Sequence, residues 1–245
     1  MGLITIIGRG HSGTRAISHT LTASGVYMGE PLNVSGDLLP PDAMYEACRV
    51  MARQVVHLGG MRWDFSRLHT APIDPAFTRL IEEYLGAVLS SRMPYRGWKI
   101  PETTLVYPWI VRLFPSIRYI FWIRDPRDCI LGGHVTDDLS RFDIPYEATD
   151  DIMLQRATSW KYQLEIVRAT PAPRRLWSVR FEDFVLNQDE TLRGLGYFLG
   201  FPLAKIEVRP ESIGRWRRTE EEVPEFKFLE KELQEHGYGE RRIRS

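Results

Sequence analysis

This sequence of 245 residues contains only two cysteines, Cys48 and Cys129. Two cysteines cannot build a disulfide framework, and neither belongs to a Cys-x-x-Cys pair or another metal-binding spacing. We therefore expect two buried thiols and no bound metal. An excess of charge is also missing, because 32 basic residues balance 32 acidic residues. A nucleic-acid-binding protein normally carries a basic excess, so we expect no nucleic-acid partner.

Long hydrophobic runs are absent as well. No apolar stretch approaches the length of a membrane span. The chain opens on a strand-like pattern, with no basic or apolar signal segment before it. These features predict a cytoplasmic protein without a membrane span. Hydrophobic residues make up 43% of the chain and aromatic residues 11%, which is enough for a packed core, and we expect residues 1–245 to form a single domain. Nothing in the sequence indicates an oligomeric state.

The most informative segment is a glycine loop at residues 8–15, Gly-Arg-Gly-His-Ser-Gly-Thr-Arg. It follows the apolar run 3–7 and precedes a helix-like stretch at 16–24. In this context backbone N–H groups and a helix N-terminus bind a phosphate. Gly8 and Gly13 have the spacing of a P-loop, but Thr14 stands where a P-loop has its lysine and Arg15 where it has a Mg²⁺-binding hydroxyl. Kinases and ATPases need both groups, so the loop indicates a phosphate-bearing ligand other than Mg-ATP.

Strands and helices alternate along the chain. Short apolar runs predict strands at 3–7, 26–28, 95–100, 117–123 and 176–179, and a helical apolar period predicts helices over 75–88, 150–167 and 192–199. This alternation indicates an α/β fold built from βαβ units with a mainly parallel sheet. Ligands of such sheets bind at the carboxyl ends of the strands. The glycine loop lies at one strand end, and residues 124–128, Arg-Asp-Pro-Arg-Asp, follow another.

These two loops together, Gly10-His11-Ser12-Gly13-Thr14 and residues 123–128, resemble the cofactor loops of the sulfotransferases that use 3′-phosphoadenosine 5′-phosphosulfate (PAPS). Residues 179–202, which begin Val-Arg-Phe-Glu-Asp-Phe, resemble the family's last strand and the helix after it. Residues 212–216, Ser-Ile-Gly-Arg-Trp, resemble a terminal loop that closes over the cofactor in many bacterial members. The resemblance implies a P-loop-type three-layer α/β/α fold with about five strands.

The function implied by this resemblance is metal-independent, in-line transfer of a sulfuryl group from PAPS to a hydroxyl or amine. The product would be 3′-phosphoadenosine 5′-phosphate (PAP), and the acceptor a small molecule or saccharide. Two other functions remain open. One is a P-loop-like small-molecule kinase with an aberrant loop, and the other is a non-catalytic nucleotide-binding protein derived from the fold.

The resemblance also assigns residues to the cofactor. Arg124 would bind the 3′-phosphate, Arg215 would assist it, and Trp216 would stack on adenine. His11 stands where the family usually has a cation at the sulfate, and Gly132 stands where it has a serine at the 3′-phosphate. The Gly132 backbone N–H or the His134 imidazole could replace that serine, and Ser12 could cap the following helix instead of binding phosphate. The full set of expected cofactor residues is Arg9, Gly10, His11, Ser12, Gly13, Thr14, Arg15, Arg124, Gly132, Arg215 and Trp216.

For the chemical step, the family pattern places a lysine at the oxygen that bridges phosphate and sulfate, and Lys99 matches it at the end of a strand. Several relatives have a histidine base two residues later, where this chain has Pro101. We therefore consider other bases. The expected catalytic residues are Lys99, His11, Glu30, Asp37 and Glu102, with His134 a weaker alternative.

Three segments are expected to surround the site. Residues 28–75 and 138–150 contain polar, non-periodic stretches and are predicted to be acceptor-pocket loops. Residues 205–245 are predicted to be a terminal loop that covers the cofactor and a helix, followed by a basic tail at 241–244.

Overall fold

A four-stranded parallel sheet forms the centre of the computed structural model, which describes residues 2–220 and 223–239. Its strand order is β4-β1-β5-β6, while β2 and β3 form a separate antiparallel pair. In chain order, the strands are β1 (Gly2–Ile7), β2 (Val56–His57), β3 (Trp63–Asp64), β4 (Tyr95–Trp98), β5 (Arg118–Ile123) and β6 (Leu176–Arg180).

Helices follow most of the strands. They are α1 (Thr14–Ala23), α2 (Asp42–Ala52), α3 (Ser66–Thr70), α4 (Pro75–Tyr84), α5 (Gly86–Ser90), α6 (Tyr107–Leu113), α7 (Pro126–Cys129), α8 (Ile152–Ala169), α9 (Phe181–Leu186), α10 (Gln188–Leu199) and α11 (Glu230–Glu235). No helix of the described residues is both long and apolar enough to cross a membrane.

Both faces of the sheet are covered. Side chains alternate along each strand, so Ile4 and Ile6 of β1 pack with α1, α9 and α10, whereas Ile7 packs on the other face with α2, α4, α6 and α8. In β5, Trp122 lies on the first face and Tyr119 on the second. Apolar residues on both faces are typical of a parallel sheet between helices. The predicted three-layer α/β/α architecture is confirmed.

One sequence-based expectation about the fold needs correction. The sheet has four strands instead of about five, because the segment 26–28 makes only an isolated bridge from Tyr27 to Arg96. Gly25 and Gly29 flank it with φ of 83° and 85°, so the chain turns away after a few extended residues. Within residues 28–75, α2 and α3 lie between irregular segments.

The strand order brings the relevant loops together. The central strands β1 and β5 are neighbours, and β4 lies on the other side of β1. The glycine loop, the Arg124 loop and Lys99 therefore leave the sheet at one edge, as parallel strands require. Phe181 follows the carboxyl end of β6 at the same edge.

Candidate active site

A cavity of about 600 Å³ opens at the carboxyl edge of the sheet. Each of the loops just described contributes to its wall, together with residues 206–209. Of the sequence-predicted residues, those that line the cavity are Gly10, His11, Gly13, Thr14, Arg15, Asp37, Lys99, Arg124, His134 and Arg215. Loops that are distant in sequence thus form one site.

The glycine loop is shaped for an anion. Gly13 has φ of 86°, a left-handed conformation that glycine adopts at no steric cost, and it directly precedes α1. The first backbone N–H groups of α1 have no partner within the helix and carry its positive dipole end. Thr104 stabilises the loop, because its hydroxyl accepts a hydrogen bond from the Gly8 N–H at 2.9 Å.

Lys99 lines the cavity and is only 2% exposed. Its ammonium forms an ion pair with Asp37 and donates to the Ser35 carbonyl at 2.7 Å. Burial lowers the pKa of Lys99, and the Asp37 carboxylate opposes this effect. A lysine ammonium has three N–H donors. Two are used here, so the third remains for a ligand.

Asp37 is held by a short hairpin-like loop. The Asn33 side-chain amide donates to Asp37 Oδ2 at 2.9 Å, and the Asn33 side-chain oxygen accepts the Asp37 backbone N–H at 3.0 Å. The loop itself is fixed to α1, because the Ser18 hydroxyl donates to the Gly36 carbonyl at 3.1 Å. These contacts hold the Asp37 carboxylate at the cavity wall beside the Lys99 ammonium.

Arg124 links the second loop to the terminal loop. Its guanidinium pairs with Asp128 at 3.2 Å, donates to the His11 carbonyl at 3.3 Å and also bonds the Ser212 carbonyl. The guanidinium carbon lies 4.4 Å from the centroid of the Phe181 ring. Several contacts therefore hold Arg124 in place at the cavity wall.

Asp128 is fully buried and holds the terminal loop in place through hydrogen bonds. Its carboxylate accepts the backbone N–H groups of Gly214 at 2.8 Å and Trp216 at 3.0 Å, in addition to its pair with Arg124. Its neighbour Arg127 pairs with Asp125.

Some expected site residues lie outside the cavity wall. The guanidinium carbons of Arg127 and Arg217 lie 3.9 and 4.9 Å from the centroid of the Trp216 ring. Arg9 is buried and pairs with Asp137. Ser12 donates to the Arg9 carbonyl at 2.5 Å, and Gly13 without a side-chain cap precedes α1, so Ser12 does not cap that helix.

Two of the candidate bases also lie away from the wall. Glu30 is exposed at the surface. Glu102 is 1% exposed, and both of its carboxylate oxygens lack a hydrogen-bond partner among the described residues. Burial raises the pKa of Glu102 to about 8, so it is largely protonated at neutral pH. Asp37 is the expected carboxylate that reaches the cavity.

The expected surrounding segments contribute unequally. Residues 28–75 supply Ser35 and Asp37 to the wall, whereas residues 138–150 supply none of its lining side chains. The terminal segment supplies residues 206–209, Ser212 and Arg215. The predicted tail at 241–244 lies outside the described residues.

The wall also has an apolar part, which consists of Ala16, Phe181, Val185, Ile206 and Val208. Phe181 follows the end of a strand. Residues 206–208 belong to the segment 205–245 that is predicted to cover the cofactor, but the sequence does not indicate which of its side chains reach the cavity.

The charges in the wall favour an anionic ligand. Five cationic side chains line the cavity (Arg15, Lys99, Arg124, Arg209 and Arg215) against two acidic ones (Asp37 and Glu207). No group of three or more His, Cys, Asp or Glu residues in 2–220 and 223–239 could hold a metal ion. The fold and site define a P-loop-like α/β protein with a cationic nucleotide-sized cavity.

Comparison with known proteins agrees with this class. The sequence model of the sulfotransferase family matches residues 4–205, and the chain belongs to that family. Its members transfer sulfuryl groups. A search of curated proteins by sequence finds no match.

Two solved structures show the same fold. The sulfotransferase domain from the curacin biosynthetic pathway has a TM-score of 0.57 at 13% identity, with 97% of this chain and 98% of that chain covered. The sulfotransferase domain of the Synechococcus PCC 7002 olefin synthase has a TM-score of 0.57 at 14% identity, with 98% and 94% covered.

Proposed function

We propose that the protein transfers a sulfuryl group from PAPS to a hydroxyl or amine of a small-molecule or saccharide acceptor, without a metal ion. The observation that carries this proposal is the single cavity that joins the glycine loop, Lys99 and Arg124. A donor with a nucleoside, two phosphates and a sulfuryl group suits a wall with one apolar part and five cationic side chains.

Different residues of the wall would bind different chemical groups of the donor. The backbone N–H groups at the start of α1 would hold the 5′-phosphosulfate. Arg124 offers a planar fork that suits the 3′-phosphate. The apolar part of the wall, with Phe181 and Val208, would take the adenine. Bound in this way, the donor supplies an activated sulfuryl group whose bridging oxygen gains charge as the S–O bond breaks.

The reaction needs a base for the acceptor and a cation for the leaving group. Asp37 would accept the proton of the acceptor hydroxyl as the new O–S bond forms. Lys99 holds that carboxylate in place and would direct its remaining N–H to the bridging oxygen. A preorganised cation at the position where charge develops stabilises the transition state more than the ground state.

Titration calorimetry with PAP and with ATP tests the donor. We expect PAP to bind at least tenfold more tightly than ATP, because the chain lacks the lysine and hydroxyl that ATP-binding P-loops use. Release of PAP from PAPS in the presence of acceptor libraries then tests turnover. Equal or tighter binding of ATP would refute the proposed donor, and tight PAP binding without turnover on any acceptor would indicate a non-catalytic nucleotide-binding protein.

A further inference from the structure

Residues 226–238, near the end of the chain, contact the loop that carries Arg124 (residues 124–128) without lining the cavity. This segment consists of a 3₁₀ turn at Lys227–Leu229, the helix α11 and a short end at Tyr238. The proposed reaction gives it no role. Because its side chains do not reach the cavity wall, any contribution to donor binding must pass through the Arg124 loop.

An apolar contact attaches the segment to both ends of that loop. Leu229 is only 2% exposed and belongs to one buried cluster with Ile123, Cys129 and Ile130. Ile123 directly precedes the Arg124 loop, and Cys129 and Ile130 directly follow it. Burial of an apolar side chain is favourable, so Leu229 holds segment 226–238 against the base of the loop.

An ionic contact attaches the segment to α8. Glu232 of α11 is completely buried and pairs with Lys161 at 2.5 Å and Arg168 at 3.1 Å, both on α8. A buried carboxylate that loses its cationic partners is strongly destabilising. Glu232 therefore fixes the position of α11 on α8.

Tyr238 connects the segment to the Arg124 loop through a buried network. Its hydroxyl donates to Glu182 Oε2 at 3.0 Å, and Glu182 Oε1 accepts the Asp125 backbone N–H at 3.0 Å. The Tyr238 carbonyl accepts a hydrogen bond from Arg127 Nη2 at 2.5 Å. The same guanidinium donates to both oxygens of the Asp125 carboxylate, at 3.0 and 2.8 Å. Tyr238, Glu182 and Asp125 are all buried, so loss of one partner leaves a buried polar group unsatisfied.

Asp125 is in turn coupled to the guanidinium of Arg124. The two residues are adjacent in sequence, and the Asp125 carbonyl accepts the backbone N–H of Asp128 at 3.1 Å. Asp128 is the carboxylate that pairs with Arg124 at 3.2 Å. A displacement of Asp125 therefore changes the direction of the Arg124 guanidinium, and a bidentate contact with a phosphate depends on that direction.

We propose that Tyr238 is a positioning residue for the donor: through Glu182 and Arg127 it holds the Arg124 loop in the conformation that binds the 3′-phosphate. This inference rests on the proposed use of PAPS. It assigns segment 226–238 a part in recognition of the 3′-phosphate and none in recognition of the sulfuryl group.

The variant Tyr238→Phe removes only the hydroxyl. Two ligands report on it by calorimetry: PAP, which has the 3′-phosphate, and adenosine 5′-phosphosulfate, which lacks it. We expect PAP to bind roughly 3- to 10-fold more weakly, which is less than the tenfold or greater loss of a direct hydrogen bond to a charged group. Adenosine 5′-phosphosulfate should bind within about twofold of wild type. Tyr197→Phe is the matched control, because Tyr197 is 91% exposed, and it should change neither affinity.

A double variant separates positioning from a general structural effect. If Tyr238 acts through Arg124, Tyr238→Phe should change PAP affinity by less than about twofold once Arg124→Ala has removed the guanidinium. A purely structural role would weaken PAP binding by the same factor in both backgrounds. With PAPS as donor, Tyr238→Phe should raise KM by the factor seen for PAP and leave kcat within about twofold.

Hydrogen exchange tests the same coupling in the wild-type protein. Coupling between two sites is reciprocal, so bound 3′-phosphate must stabilise the segment that helps to bind it. Saturating PAP should slow amide exchange in peptides from residues 226–239, whereas saturating adenosine 5′-phosphosulfate should not. This measurement needs no variant, so it decides the question even if Tyr238→Phe fails to fold.

Three results would overturn the role of Tyr238. They are an equal loss of both ligands in Tyr238→Phe, an undiminished effect of Tyr238→Phe in the Arg124→Ala background, and exchange in 226–239 that PAP leaves unchanged. If the wild-type protein binds neither ligand, the proposed donor itself is wrong. That outcome is distinct from tight wild-type binding of PAP that Tyr238→Phe leaves unchanged, which overturns only the role of Tyr238.

Discussion

Replacement of Lys99 tests the chemical step most directly. We consider Lys99→Met, which removes the ammonium and keeps a long apolar chain of similar volume. The ammonium is 2% exposed, pairs with Asp37 and has one N–H left for a ligand. Loss of one preorganised donor to a developing charge typically costs about 2.7–4 kcal/mol. We therefore expect kcat to fall by roughly 10²- to 10³-fold.

Cofactor binding should change little in the same variant. If Lys99 acts mainly in the transition state, the affinity for PAPS should stay within about twofold of wild type, while kcat and kcat/KM fall together. Lys99→Arg should recover little activity, because a planar guanidinium does not replace a compact ammonium. Single-turnover release of PAP from PAPS, with equilibrium binding of PAPS in the absence of acceptor, measures both quantities.

Stability must be separated from catalysis, because removal of one partner of a buried ion pair can cost about 3–5 kcal/mol. The double variant Lys99→Met/Asp37→Asn removes both charges, so it should unfold at a higher temperature than Lys99→Met alone and remain inactive. Lys205→Met is the matched control, since this lysine is 61% exposed and, among the described residues, pairs only with Asp189 at the surface. An unchanged kcat in Lys99→Met would refute the role of this lysine.

Three further predictions concern the cofactor, the metal and the buried acid. Arg124→Ala should weaken PAP binding by roughly 2–4 kcal/mol and barely affect adenosine 5′-phosphosulfate; equal losses for both ligands in calorimetry would contradict a contact with the 3′-phosphate. Excess EDTA should leave turnover unchanged, because Thr14 and Arg15 replace the P-loop lysine and hydroxyl; activity lost in EDTA and restored by Mg²⁺ would point to phosphoryl transfer. Burial raises the pKa of Glu102 from 4.5 to about 8, so the folded protein holds this proton more tightly than the unfolded chain. The resulting stability is complete below about pH 4.5 and is lost as the pH rises through about 8, by up to about 5 kcal/mol. In thermal melts, Glu102→Gln should therefore lose less stability than wild type between pH 6 and pH 9.5; parallel curves would show that Glu102 does not titrate there.

The local patterns of the sequence were sufficient to predict the architecture. Strands β1, β4, β5 and β6 were predicted within a few residues, because buried strands read as short apolar runs between turns and helices. The shared edge for Lys99 and the glycine loop also followed from the sequence, since parallel βαβ units place all strand ends together. Residues 26–28 form only an isolated bridge instead of the predicted strand. The glycines on either side of this segment limit its pairing, whatever its own strand propensity.

The sequence by itself therefore determined the fold class, the family and the loops that meet at the cavity. Tertiary structure alone decided which side chains reach that cavity. A motif specifies backbone shape, but the direction of each side chain depends on partners far along the chain. Arg9 pairs with Asp137 and does not line the wall. Asp128 holds the terminal loop through a hydrogen bond. Asn33 holds Asp37 in the position where it pairs with Lys99. These contacts join segments that are distant in sequence, so no local pattern records them.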